Sequence, residues 1–175
     1  LRAALGITMG GVWDVVAQSS EKLRESYGHT LPANTARLKE KVKAFKIGGG
    51  FGEGVTHGPV IHERAVAKVD QHVQDATSKG AKVAHGGQKL PELGSNFYDL
   101  TVLTGMKKGM LLASEETFGP VAGLFPFETE KEVVDLANSA EVGLAGYFFS
   151  GDVQRIFRVA EAIEVGMVGV NTGLI

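Results

Sequence analysis

Glu115 and Glu116 stand side by side just ahead of Thr117-Phe118-Gly119-Pro120. The four residues that follow cannot continue a helix: Pro120 lacks an amide donor and Gly119 favours a bend. The chain must turn sharply there, so the two carboxylates can reach different partners. An acid on such a bend can accept hydrogen bonds from ribose hydroxyls, and Phe118 can pack against a flat ring. The competing reading is a tight turn that feeds the apolar run from Val121, with both acids in solvent. Composition alone favours that simpler turn.

Other residues with chemical potential carry less. The chain has no cysteine, so a disulfide framework, thiolate metal sites and thiol nucleophiles are excluded within it. The cluster Gly48-Gly49-Gly50-Phe51-Gly52-Glu53-Gly54 contains no Gly-x-Gly-x-x-Gly and follows a helical pattern where a dinucleotide fingerprint needs a strand. No Gly-Lys-Ser/Thr follows it either, so it reads as a structural loop. His57 and His62 are separated by Pro59 and match neither a helical zinc pair nor a zinc-finger spacing. His72, between Asp70 and Asp75, is expected on a solvated helix face, and His29 and His85 lack partner motifs. No metal site is expected. Gly-x-Ser-x-Gly does not occur, and Ser114 and Ser150 sit near element ends, where capping is the commoner role.

Composition narrows the class further. The 175 residues are 43% hydrophobic and 22% charged with a formal net charge of −2, as expected of a folded domain with a real core. Acids and bases are mixed, so neither a nucleic-acid stripe nor a solvating tail is indicated. No window approaches the ~20 apolar residues of a membrane span. The absence of cysteine and of a legible leader suggests an intracellular setting, cytoplasmic or mitochondrial matrix. The chain opens on Leu1 and reads as part of a longer polypeptide.

The elements that must position the Glu115–Pro120 bend are legible from Thr35 onward. Leu38, Val42 and Phe45 recur at helical spacing until Gly48-Gly49-Gly50. A second helix is predicted from about His62 to Lys79, striped by Ala65, Val66, Val69, Val73 and Ala76, with Gly80 as its terminator. Strands are predicted at 81–84, 97–103, 121–127, 144–149 and 167–170. Thr129 with Glu132 forms a capping box for a helix to about Ala140, and Val153, Ile156, Phe157, Ala160 and Ile163 stripe another. The order implies an α/β fold, a mostly parallel sheet flanked by helices. Residues 1–34 are unassigned, apart from a possible short helix at 19–25.

From about Ala36 onward the chain resembles the aldehyde dehydrogenase superfamily. The resemblance lies in an ordered series: Lys46-Ile47-Gly48-Gly49-Gly50, Gly58-Pro59-Val60-Ile61, Gly80-Ala81-Lys82-Val83, Gly86-Gly87, Asn96-Phe97-Tyr98, Glu115-Glu116-Thr117-Phe118-Gly119-Pro120-Val121, Asn138, Gly143-Leu144-Ala145-Gly146 and Gly166-Met167-Val168-Gly169-Val170-Asn171. Leu144–Phe148 and Val165–Ile175 are most similar to the succinate-semialdehyde branch. The resemblance implies an oxidoreductase that converts an aldehyde to a carboxylic acid with NAD or NADP, succinic semialdehyde being a candidate substrate. It implies that Glu116 binds the nicotinamide ribose, that Phe118 packs beside the nicotinamide, and that Asn171 lies near the active-site floor. It also implies a full-length homo-oligomer.

Departures from that family shape the expectation. Its nucleophile is a cysteine in a glycine-glutamine-x-cysteine setting upstream of the first helix, and residues 1–34 contain neither. The dinucleotide-binding half with the general-base glutamate is missing, and Glu92-Leu93-Gly94, in a loop between two short strands, is not that base. His57, His62, Gly49 and Leu100 replace residues common in the family. Residues 35–175 are therefore expected to be a partial catalytic domain, inactive alone, with no catalytic residue of its own. The alternative is a non-catalytic module of the same fold, kept for structure or interaction.

Overall fold

The computed structural model describes residues 31–140 and 143–172. The segment left unassigned up to residue 30, the suggested helix at 19–25, His29, and the terminal residues 173–175 lie outside them. Helix α1 spans Leu31–Lys43 and begins four residues before the apolar spacing signals it. Pro32 falls in its first turn, where an amide proton has no intrahelical partner to lose. Leu38 and Val42 of α1 are buried against Leu100, Val102 and Ala122.

Helix α2, Glu63–Ser78, follows the glycine-rich loop. That loop closes on itself: Lys46 Nζ donates to the Glu53 carbonyl at 2.8 Å. The His62 imidazole caps α2 by accepting the Ala65 amide at 3.0 Å. At the other end Gly80 adopts φ +97°, which lets its amide reach the Thr77 carbonyl and the Ala81 amide reach the Ala76 carbonyl. This pair of bonds is the Schellman ending that glycine favours.

Strands β1 (Lys82–His85), β2 (Thr101–Thr104) and β3 (Val121–Leu124) form one sheet in that order. β2 pairs with β3 in parallel, Thr101 opposite Val121 through Thr104 opposite Leu124. β1 pairs with β2 antiparallel, because the 86–100 connection returns without the helical crossover that a parallel neighbour requires. Side-chain alternation places β2 between two layers. Leu103, with Val121 of β3, packs on the Val66, Val69, Val73 and Ala76 stripe of α2, while Val102 and Ala122 face α1. Leu103 and Val69 are fully buried, each stabilising the fold by roughly 1.5–3 kcal/mol relative to exposure.

A four-residue helix α3, Leu111–Ser114, precedes β3. It is too short to show periodicity and was not predicted. Asp75 of α2 holds it by accepting the Leu111 amide at 2.7 Å. Helix α4, Glu130–Ala137, starts on the expected box. Thr129 Oγ1 accepts the Glu132 amide at 3.1 Å, and the Glu132 carboxylate reaches back to the Glu128 amide at 2.8 Å, one residue earlier than anticipated.

Strand β4 (Ala145–Phe148), helix α5 (Val153–Ala162) and strand β5 (Met167–Val170) make a parallel unit with a helical crossover. Phe148, Val159 and Ile163 form its core, with Val134 of α4 packed against them. Asn138 joins the ends of α4 and α5, donating to the Ala162 carbonyl at 2.7 Å and accepting the Glu164 amide at 2.9 Å. The α/β class and the strand–helix order agree with expectation. Among the described residues the strands fall into a three-stranded and a two-stranded sheet, with β1 the antiparallel member.

Candidate functional site

The bend at 115–120 leaves α3 in extended backbone: Glu115 has φ −107° and ψ 137°. Successive side chains therefore point to opposite sides, and the odd-numbered ones meet α2. Glu115 Oε2 lies 3.4 Å from His72 Nε2 and 3.9 Å from Lys68 Nζ. Thr117 Oγ1 is 2.5 Å from His72 Nδ1. Gly119 is buried, with Val69 where its side chain would be. The Pro120 carbonyl then accepts the Thr101 amide at 2.8 Å, locking the bend to β2 where β3 begins.

The even-numbered residues point away. Glu116 is exposed and has no hydrogen-bond or ion-pair partner among the described residues. Phe118 is 59% exposed, unusual for a ring beside so well anchored a backbone. The bend thus presents an exposed carboxylate and an exposed aromatic ring two residues apart. Both acids are solvent-exposed, but Glu115 also faces His72 and Lys68, whereas Glu116 does not.

His72 corrects an expectation. It was placed on a solvated face; it is 1% exposed. Val69, His72, Val73 and Ala76 share the i, i+3, i+4, i+7 spacing of the buried stripe, so the apolar periodicity carries the signal and the flanking aspartates obscure it. Burial pushes its imidazole below the ordinary value, against the opposing pull of Glu115; Lys68 adds to the lowering.

Asn171 lies just past β5, in the other sheet, at the end where parallel strands commonly present ligands. It has φ 57°. Its carboxamide brackets Ser150, accepting that amide at 2.9 Å and donating to that carbonyl at 3.0 Å. Ser150 Oγ in turn accepts the Asp152 amide at 3.1 Å, and Asp152 caps α5. Glu92 is exposed in the turn between β1 and β2. Among the described residues no three His, Asp or Glu side chains are grouped to hold a metal ion, and no helix is long and apolar enough to cross a membrane.

The aldehyde dehydrogenase family model matches residues 28–175. The succinate-semialdehyde dehydrogenase [NADP(+)] 1 of Schizosaccharomyces pombe is 56% identical over 138 residues, 79% of this chain and 28% of that protein. The glutarate-semialdehyde dehydrogenase of Pseudomonas putida is 54% identical over 139 residues, again 79% and 28%. Among solved structures, the succinate-semialdehyde dehydrogenase of Burkholderia pseudomallei superposes with a TM-score of 0.82 at 42% identity, covering 97% of this chain and 38% of that one. The chain spans little more than a quarter of the curated relatives it matches.

Proposed function

The chain belongs to the aldehyde dehydrogenase family, and from that premise we propose that it is part of an NAD(P)-dependent enzyme oxidising an aldehyde to a carboxylic acid. Its own contribution is the wall on which the nicotinamide end of the dinucleotide rests. The observation that carries this reading is the alternation at 115–119: three residues anchored on α2 and β2, with Glu116 and Phe118 between them left facing outward.

These residues fit such a group. A carboxylate accepts hydrogen bonds from vicinal hydroxyls more strongly than a neutral acceptor does, and an exposed aromatic face pairs with a flat heterocycle. A bound nicotinamide dinucleotide supplies the hydride acceptor. Glu116 orients its ribose, Phe118 covers the ring, and the anchored backbone limits the arrangements they can take. Holding reactants in alignment lowers the barrier without bond chemistry by the protein. Asn171, fixed by Ser150 at the end of β5, is proposed for the floor of the aldehyde pocket.

The aldehyde is proposed to be a short semialdehyde bearing a distal carboxylate, as the names of both relatives suggest, with succinic semialdehyde the first candidate. With no cysteine in the 175 residues, the nucleophile comes from outside this chain, and the isolated chain is inactive. The full-length protein is proposed to be intracellular and homo-oligomeric.

The test is NAD(P)H formation with succinic and glutaric semialdehydes, by the 175-residue chain and by a longer protein that includes it. No turnover by the first and turnover by the second supports the proposal. Turnover by the isolated chain refutes the assignment of the nucleophile. A Glu116→Gln change in the longer protein is expected to raise the nucleotide KM about tenfold, the loss of one charge-assisted hydrogen bond; an unchanged KM and kcat removes Glu116 from the site.

A further inference from the structure

The two ring nitrogens of His72 face the same bend and find different groups there. Nδ1 meets the Thr117 hydroxyl at 2.5 Å. Nε2 meets the Glu115 carboxylate at 3.4 Å, outside hydrogen-bonding geometry, and has no hydrogen-bond partner among the described residues. The two neutral tautomers are therefore unequal. A proton on Nδ1 would leave the Nε2 lone pair buried against a carboxylate. A proton on Nε2 directs the N–H dipole at that carboxylate and leaves Nδ1 to accept from the threonine hydroxyl, so both ends are favourable.

We infer that His72 is a positioning residue: as the Nε2–H tautomer it accepts a hydrogen bond from the Thr117 hydroxyl, faces Glu115, and so fixes the residues on either side of Glu116. The consequence for nucleotide binding rests on the reading of Glu116 and Phe118 given above; the clamp itself does not.

The clamp depends on protonation. Histidinium has two donors and no acceptor, so the Thr117 hydroxyl would have to turn from donor to acceptor. The added charge would lie inside the α2–sheet core, among Lys68 and Asp75 of α2 and Glu115 of the bend. Burial lowers the folded-state value, so below the ordinary ~6.5 the unfolded chain binds more protons than the folded one. The contribution of neutral His72 is therefore complete above about pH 6.5 and is lost as pH falls below it.

The full 175-residue chain, labelled with ¹⁵N, tests this through long-range proton–nitrogen spectra of the histidine rings and through backbone amides. At pH 7.5 His72 should show a protonated Nε2 and an acceptor Nδ1. Its titration midpoint should lie below the ordinary histidine value of ~6.5, and the amides of Thr117, Phe118 and Gly119 should shift with that midpoint. Thr117→Ser should preserve this coupling and Thr117→Val should abolish it. An Nδ1–H ring, a rapid mixture of tautomers, or bend amides indifferent to the His72 titration would overturn the inference. None of these readouts needs nucleotide, so failure of the clamp is distinguishable from failure of the nucleotide-facing role, which the Glu116→Gln kinetics report.

Discussion

Val69 occupies the space that a β-carbon on Gly119 would need. Helix α2 and the bend before β3 are thus fitted to each other at a point where neither can add an atom. The bend stands against α2 because residue 119 has no side chain, and this closeness brings Thr117 and Glu115 within reach of His72.

Gly119→Ala should therefore destabilise the chain by about 1–3 kcal/mol through overpacking, read as a lower urea midpoint. Val69→Ala removes methyl groups from a fully buried position and is destabilising by itself. Combined, the two substitutions should lose less than the sum of their separate effects, because the new β-carbon enters the space vacated. Strict additivity would mean that the two residues do not compete for that space.

Glu130 at the start of α4 binds two arginines of α5: Arg158 Nε at 2.6 Å and Arg155 Nε at 3.0 Å. Arg158 first, and Arg155 as well, hold its carboxyl down at about 2. A depressed carboxyl stabilises the fold above its unfolded value, near 4.5, and loses that effect as pH falls through the window down to about 2. Glu130→Gln should lower stability at pH 7 by roughly 1 kcal/mol, the upper end for a partly exposed pair. The gap between urea midpoints of wild type and variant should narrow as pH is lowered from 5 towards 2; a constant gap would show that the pair contributes no proton-linked stability.

Asn171 combines a left-handed backbone with two hydrogen bonds to Ser150. Asn171→Ala loses both bonds and leaves a left-handed backbone without the short polar side chain that makes it tolerable, a cost of about 2–4 kcal/mol. Asn171→Gly loses the same bonds but also removes the β-carbon that the left-handed backbone strains, so thermal unfolding should rank wild type above Gly above Ala. Alanine equal to or better than glycine would show that the conformation carries no strain.

Legibility in the sequence followed the length and regularity of each signal. The stripe of α2, the box at Thr129, the Gly80 terminator and the β4–α5–β5 order could all be read because each repeats a period or fills a capping position. Helix α1 was entered late because Pro32 resembles a breaker when it is a first-turn residue. Strands were drawn too long where apolar residues continue past the ladder, as at Phe125, which packs on the α2 side of the core outside any strand. The bend was singled out by its resemblance to the family's signature, because composition alone favoured a simple turn. That Glu115 turns toward α2 and Glu116 away from it was not legible, because the separation depends on His72, 45 residues from Thr117 in sequence. Long-range polar pairs leave no local pattern.

The same change at the two adjacent acids should accordingly have different effects. Glu115→Gln removes the negative charge that opposes the lowering of the His72 pKa, so His72 should titrate at still lower pH than in wild type. The accompanying loss of stability should be at most about 1 kcal/mol, since the carboxylate is half exposed. Glu116→Gln removes an identical charge one residue away, from a side chain with no partner among the described residues. Stability should stay within about 0.5 kcal/mol of wild type and the His72 midpoint should not move, while nucleotide affinity of the longer protein falls. Because both variants change net charge equally, any bulk electrostatic effect cancels between them. Histidine ring titrations of the two variants, run beside urea denaturation, make the comparison directly. If both glutamines shifted His72 alike, the bend would not divide the pair, and the outward carboxylate would lose its claim to the ribose.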